Sequence, residues 1–111
     1  MGKHPNDRLQ GTLDLLVLKS LAARGPMHGY GITVYIQATA GEALRVEEGS
    51  LYPALHRMTQ EGWISAKWGA SENNRRARFY SLTAAGKKQL AAEEKRWSEL
   101  TLAISRVLQG A

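Results

Sequence analysis

The stretch Glu47–Trp63, E-E-G-S-L-Y-P-A-L-H-R-M-T-Q-E-G-W, decides how the rest of the chain is read. It reads as a short helix. Proline is tolerated in a first helical turn, where the N–H groups lack intrahelical partners anyway. An onset near Gly49–Ser50 puts Pro53 in that turn, and Gly62 closes the helix. Leu51, Leu55 and Met58 share one face at i, i+4, i+7. Ser50, Pro53, Ala54 and Arg57 are expected on the opposite face, flanked by Tyr52 and His56. Two readings of that face stand side by side. It is an ordinary solvated surface, or it enters a DNA major groove, where small residues allow close approach and hydroxyl, imidazole and guanidinium groups reach phosphates or base edges.

The segments that follow sharpen the choice. Trp63–Gly69 alternates, with Ile64, Ala66 and Trp68 on one side and Ser65 and Lys67 on the other, as a half-buried strand does. Residues 70–75, A-S-E-N-N-R, form a polar turn, and Arg76–Leu82 returns as a second strand. The pair makes a β-hairpin. Arg75, Arg76 and Arg78 lie at or beside its tip, with Lys67 on the facing strand. Such a cluster either guards a solvated edge or faces an anion.

Upstream, Arg8–Arg24 carries Leu9, Leu13, Leu16, Val17 and Leu21 on one helical face. Leu15, Leu18 and Ala22 extend the apolar surface round a second side. A helix apolar on two sides is buried on two sides, here against its own core and a second subunit. Asn6 or Asp7 is the expected cap, and Gly25-Pro26 the stop. His28–Thr39, H-G-Y-G-I-T-V-Y-I-Q-A-T, has a composition that favours a strand. As a helix it would group Ile32, Tyr35 and Ile36, with His28 near its start.

Downstream, Thr83 caps a long helix, Ala84 to about Leu108. Leu90, Trp97, Leu100, Ile104 and Val107 form a seam spaced as in a coiled coil, with a polar gap at Glu93. Roughly 25 residues span about 37 Å, more than so small a domain needs. The far end is expected to pair with another copy, together with Leu13 and Leu16.

The 111 residues suit one compact unit, divided as a DNA-binding part, 1–83, and a dimerisation helix, 84–111. The net charge of +5 suits a partner of opposite sign, nucleic acid or a membrane surface. The chain has no cysteine, which excludes disulfides, thiolate metal sites and a cysteine nucleophile. The segment M-G-K-H-P-N-D-R lacks the apolar core of a signal peptide, and no apolar run is long enough for a membrane span. A cytoplasmic protein is expected. His4, His28 and His56 are scattered, without HExxH spacing, and G-P-M-H-G-Y-G lacks a P-loop lysine. Neither a metal, a cofactor nor an enzymatic reaction is expected.

With residues 28–39 taken as a helix, the order is three helices, hairpin, helix: mainly α with a small β-hairpin, a winged helix-turn-helix plus a long C-terminal helix. The motifs P-M-H-G-Y at 26–30, G-S-L-Y-P-A-L-H-R at 49–57, G-W-I at 62–64 and R-R-A-R-F-Y-S-L-T at 75–83, with Gly86 and Leu90, resemble the PadR family of bacterial transcriptional regulators. The likeness runs from about Leu9 to Leu108 and is closest to the short subfamily with one helix after the hairpin. It decides for a helix at 28–39. It implies a homodimeric repressor on a palindromic operator in double-stranded DNA, with the third helix in the major groove and the wing on phosphate or minor groove.

Carried over by position, Ser50, Tyr52, Pro53, His56 and Arg57 match the recognition block, and His28 and Tyr30 match the start of the second helix. Arg75, Arg76 and Arg78 match the wing. The sequence departs from the family pattern at Glu47-Glu48, where Ser/Thr-Pro is common, and at Gly31 and Thr33, where charged residues are. Some PadR-like dimers hold flat aromatic molecules between subunits. Trp97 on the seam is therefore a candidate contact for a small aromatic effector, set against a plain packing role. Two rival functions are a protein-interaction module and a small-molecule sensor with a minor DNA role.

Overall fold

A computed structural model describes residues 7–110, with side chains from Gly11 onward. The expected caps at Asn6 and Asp7 and the packing of Leu9 lie outside those described residues and side chains. The elements are α1 (Asp7–Arg24), β1 (Met27–His28), α2 (Gly29–Ala40), α3 (Glu48–Gln60), β2 (Ile64–Ala70), β3 (Arg76–Leu82) and α4 (Ala84–Leu108). A single 3-10 turn, Gly41–Ala43, follows α2.

α2 is a helix despite its β-branched content. His28 caps it, its Nδ1 accepting from the Gly31 N–H at 3.0 Å. Ile32 and Ile36, one turn apart, are both buried in the core. Capping and burial outweigh an intrinsic preference that is small per residue.

The sheet corrects the expectation of a two-stranded hairpin. It has three antiparallel strands in the order β1-β3-β2, because Met27 pairs with Tyr80 and His28 with Phe79. This short strand fixes the start of α2 to the edge of the wing.

α3 begins at Glu48, one to two residues before the expected onset at Gly49–Ser50. The Glu47 carbonyl already accepts from Ser50 and Leu51 N–H groups, so Pro53 sits in the second turn. The Gly49 carbonyl there loses its usual i+4 donor, since proline has no N–H. Leu51, Leu55 and Met58 are fully buried as expected. Ala54, expected on the outer face, is buried as well.

The core joins Val17, Leu18 and Leu21 of α1 to these residues, to Ile64 and Tyr80 of the sheet, and to Leu90 of α4. Leu90 therefore belongs to the chain's own core, not to the free seam. Leu13 and Leu16 are half-buried against that core. Thr83 starts α4 by accepting from the Gly86 N–H at 3.0 Å, while its own N–H donates to the Trp63 carbonyl at 3.1 Å. Gly86 is required there, because a Cβ would lie 2.0 Å from the Trp63 carbonyl oxygen.

α4 then leaves the body, giving overall extents of 55 × 30 × 27 Å. Beyond Leu90 its apolar residues are open: Trp97 is 49% exposed and Val107 77%, with Leu100, Ile104 and Leu108 exposed between and beside them. No helix among the described residues is long and apolar enough to cross a membrane.

Candidate nucleic-acid interface

A concavity of about 940 Å³ runs between the start of α2, the outer face of α3 and the wing. On one wall stand Tyr52 and His56 of α3; Tyr30 and Val34 of α2 border them. On the other are Trp68, Arg75, Arg76 and Arg78. Ser50 and Pro53 are exposed on the same helix, though outside the concavity itself.

Tyr52 is positioned by an absence. A Cβ on Gly29 would come within 2.7 Å of its ring and 2.8 Å of its hydroxyl, so the ring lies on the bare backbone of α2. It stays 46% exposed. Burial, then the charge of Glu48, then Tyr80 push its hydroxyl above the ordinary value of 10.0. At neutral pH it remains a protonated donor.

Arg57 departs from the expected arrangement. Its Nη2 donates to Asp14 Oδ1 on α1, and its Nε is buried without a partner. The guanidinium points along the α1 flank and does not line the concavity. Its cause is angular: at about 100° per residue, Arg57 follows Ala54 round towards α1. Asp14 is 7% exposed. Burial raises its carboxyl above the ordinary range; the Arg57 hydrogen bond and charge pull it back, and Glu93 adds a smaller upward push.

The wing also sorts its charges. Trp68 pairs with Arg78 and Ala70 with Arg76, whereas Lys67 pairs with Phe79. Neighbours in a strand point to opposite faces, so Lys67 leaves the groove side while Arg76 and Arg78 keep to it. The tip is closed by Ser71, whose N–H donates to the Arg75 carbonyl at 2.8 Å, with Asn74 in the left-handed region at φ 57°. No ion pair among the described residues involves Arg75, Arg76 or Arg78. Their positive charge is held over open space.

His28 lines the groove edge but spends Nδ1 on its capping bond and sets its ring edge-on to Phe79, 5.2 Å away. Trp68 was not among the residues singled out from the sequence. Strand alternation placed it on the core side. It does share that side with Ile64 and Ala66, but the sheet runs on past the core and leaves it 55% exposed.

Three helices, the third displayed beside an arginine-bearing wing, define a winged-helix regulator. The chain belongs to the Transcriptional regulator PadR-like family, which residues 17–92 match. The family is one of transcriptional regulators, not of enzymes. The chain is 32% identical over 79 residues to Transcriptional regulator Rv3488 of Mycobacterium tuberculosis, covering 71% of this chain and 70% of that protein. It is 30% identical over 70 residues to the Negative transcriptional regulator PadR of Bacillus subtilis, covering 63% of this chain and 38% of that one. A transcriptional regulator structure from Clostridium thermocellum superposes with a TM-score of 0.79 at 27% identity, covering 90% of this chain and 96% of the other.

Proposed function

We propose that this transcriptional regulator binds double-stranded DNA as a homodimer and represses by occupying promoter DNA. α3 enters the major groove with Ser50, Tyr52, Pro53 and His56 leading. Arg75, Arg76 and Arg78 take phosphates beside it, and Tyr30 and His28 lie near the backbone. Arg57 and Lys67 are left out, one held by Asp14 and the other on the far face of the wing.

The observation that carries this reading is the groove itself: an open α3 surface facing arginines with no carboxylate partner. Counter-ion release makes such contacts salt-dependent. Binding to duplex DNA should therefore fall steeply with salt. Arg75→Ala with Arg76→Ala should flatten the slope of log K against log salt by about one for each lost phosphate contact. An unchanged slope in that variant rules out the wing as a phosphate clamp.

The homodimer is supported by the apolar strip on α4 from Trp97 to Leu108, which the chain itself leaves open. Two copies paired along it would present two α3 helices to a palindromic operator. Trp97 would then lie between subunits, where a planar aromatic effector could stack on it. Quenching of tryptophan emission by such compounds, lost in Trp97→Phe, tests that role.

A further inference from the structure

We infer that Trp68 is a direct DNA contact, packing its indole on the sugar and base edges of the strand beside α3 while Arg76 and Arg78 hold the adjoining phosphates. This rests on the DNA-binding reading above and adds to it an apolar component on the wing. The first observation is position. Trp68 follows Ile64 and Ala66 along the inner face of β2, but lies beyond the core and lines the same concavity as Tyr52 and His56. Its neighbours on that face, Ala66 and Ala70, are small. The ring at 68 takes no part in the core, and more than half of the residue stays open.

The second observation is what surrounds it. The Arg76 guanidinium carbon sits 4.5 Å from the indole centroid and that of Arg78 5.9 Å. Arg78 lies at the same time 5.8 Å from the Tyr80 ring. Guanidinium groups are drawn to the electron-rich face of an aromatic ring, indole above all. Two cations are thus gathered around one exposed ring. A water-facing site gains little from collecting like charges this way. A duplex, which sets sugars and base edges with apolar surface between its phosphates, matches both parts at once.

An apolar contact releases no counter-ions, which separates it from the arginines. Trp68→Ala should weaken binding to a pool of random-sequence duplex DNA about tenfold at fixed salt, the loss expected for uncovering roughly 60 Å² of apolar surface. It should leave the salt slope where it is in the unsubstituted protein. The direct readout uses the full chain labelled with 5-fluorotryptophan. Its Trp68 resonance, assigned by Trp68→Phe, should shift and broaden when the duplex pool is added, while that of half-buried Trp63 stays in place.

A Trp68 resonance unmoved by saturating DNA overturns the contact. So does a Trp68→Ala variant that binds as tightly as the parent. A loss of affinity accompanied by a flattened salt slope and no fluorine shift overturns it too, since Trp68 would then only position the arginines. If the unsubstituted chain binds no duplex at any salt, the DNA-binding reading itself fails. The other outcomes leave that reading standing.

Discussion

Nη2 of Arg57 and Oδ1 of Asp14 stand 2.5 Å apart, tying α3 to α1 across 43 positions of sequence. The pair sits between the helix that displays the outer face and the helix that brings Val17, Leu18 and Leu21 to the core. Removing one partner of a buried pair costs about 3–5 kcal/mol, because the other is left charged and unpaired. Arg57 is about one-third exposed, so water takes up part of that penalty. Arg57→Ala is expected to lower stability by about 2 kcal/mol in urea unfolding. Replacing both residues, Arg57→Met with Asp14→Leu, should cost less than either single change. DNA sequence preference should not move, in contrast to what the sequence led us to expect of Arg57.

The same pair sets a pH dependence. The Asp14 carboxyl is raised above its ordinary value of 3.8, chiefly by burial. A folded state that holds a proton more tightly than the unfolded chain is favoured at low pH. The contribution of Asp14 is thus fully present below 3.8 and is lost as pH rises through its higher folded value. Asp14→Asn removes that titration. The stability of the parent relative to Asp14→Asn should fall with increasing pH across the window that opens just above 3.8. A difference that is flat, or that grows with pH, contradicts the assignment.

Two glycines should respond very differently to alanine. At Gly86 the added Cβ meets the Trp63 carbonyl oxygen at 2.0 Å, and backbone cannot give way without parting α4 from the sheet. Gly86→Ala should cost at least 3 kcal/mol, roughly the upper end of overpacking penalties, and its unfolding midpoint should drop accordingly. At Gly29 the obstacle is the Tyr52 ring, a half-exposed side chain that can swing aside. Gly29→Ala should cost about 1 kcal/mol or less, yet weaken DNA binding, because Tyr52 leaves its place. Equal stability losses in the two variants would contradict this contrast.

The open strip of α4 makes a prediction about assembly. Leu100 and Ile104 are each about half exposed in the single chain. A charge placed in the middle of an apolar interface is left without a partner. If two chains pair along this strip as proposed, the parent should sediment as a dimer and Leu100→Glu as a folded monomer, with the helical signal largely kept. DNA affinity should fall with it, since the two half-sites are no longer linked. A Leu100→Glu variant that sediments as the parent does would contradict pairing through this strip.

Much of this architecture could be read from residue spacing. Leu51, Leu55 and Met58 marked the inner face of α3, and T-A-A-G marked the start of α4, because periodicity and capping are local. What escaped depended on tertiary neighbours. Arg57 looked free because nothing in its own helix shows that Asp14 waits on α1. Ala54 lies only about 60° from Leu51 round the helix, and whether it is covered depends on how broadly α1 packs there. Trp68 had the right strand face, but alternation does not tell where along a strand the core ends. Met27–His28 pairs with β3 over two residues, too short a run for any period to show. Leu90 fitted the seam of α4 by spacing and was claimed instead by the core of its own chain.

Selection of duplexes from a random pool by the unsubstituted chain weighs most directly on the claim that paired copies read DNA through α3. We expect enriched sites built of two inverted half-sites, their centres about 34 Å, one helical turn, apart. Recovery of no common sequence, or of single half-sites without two-fold symmetry, would contradict it.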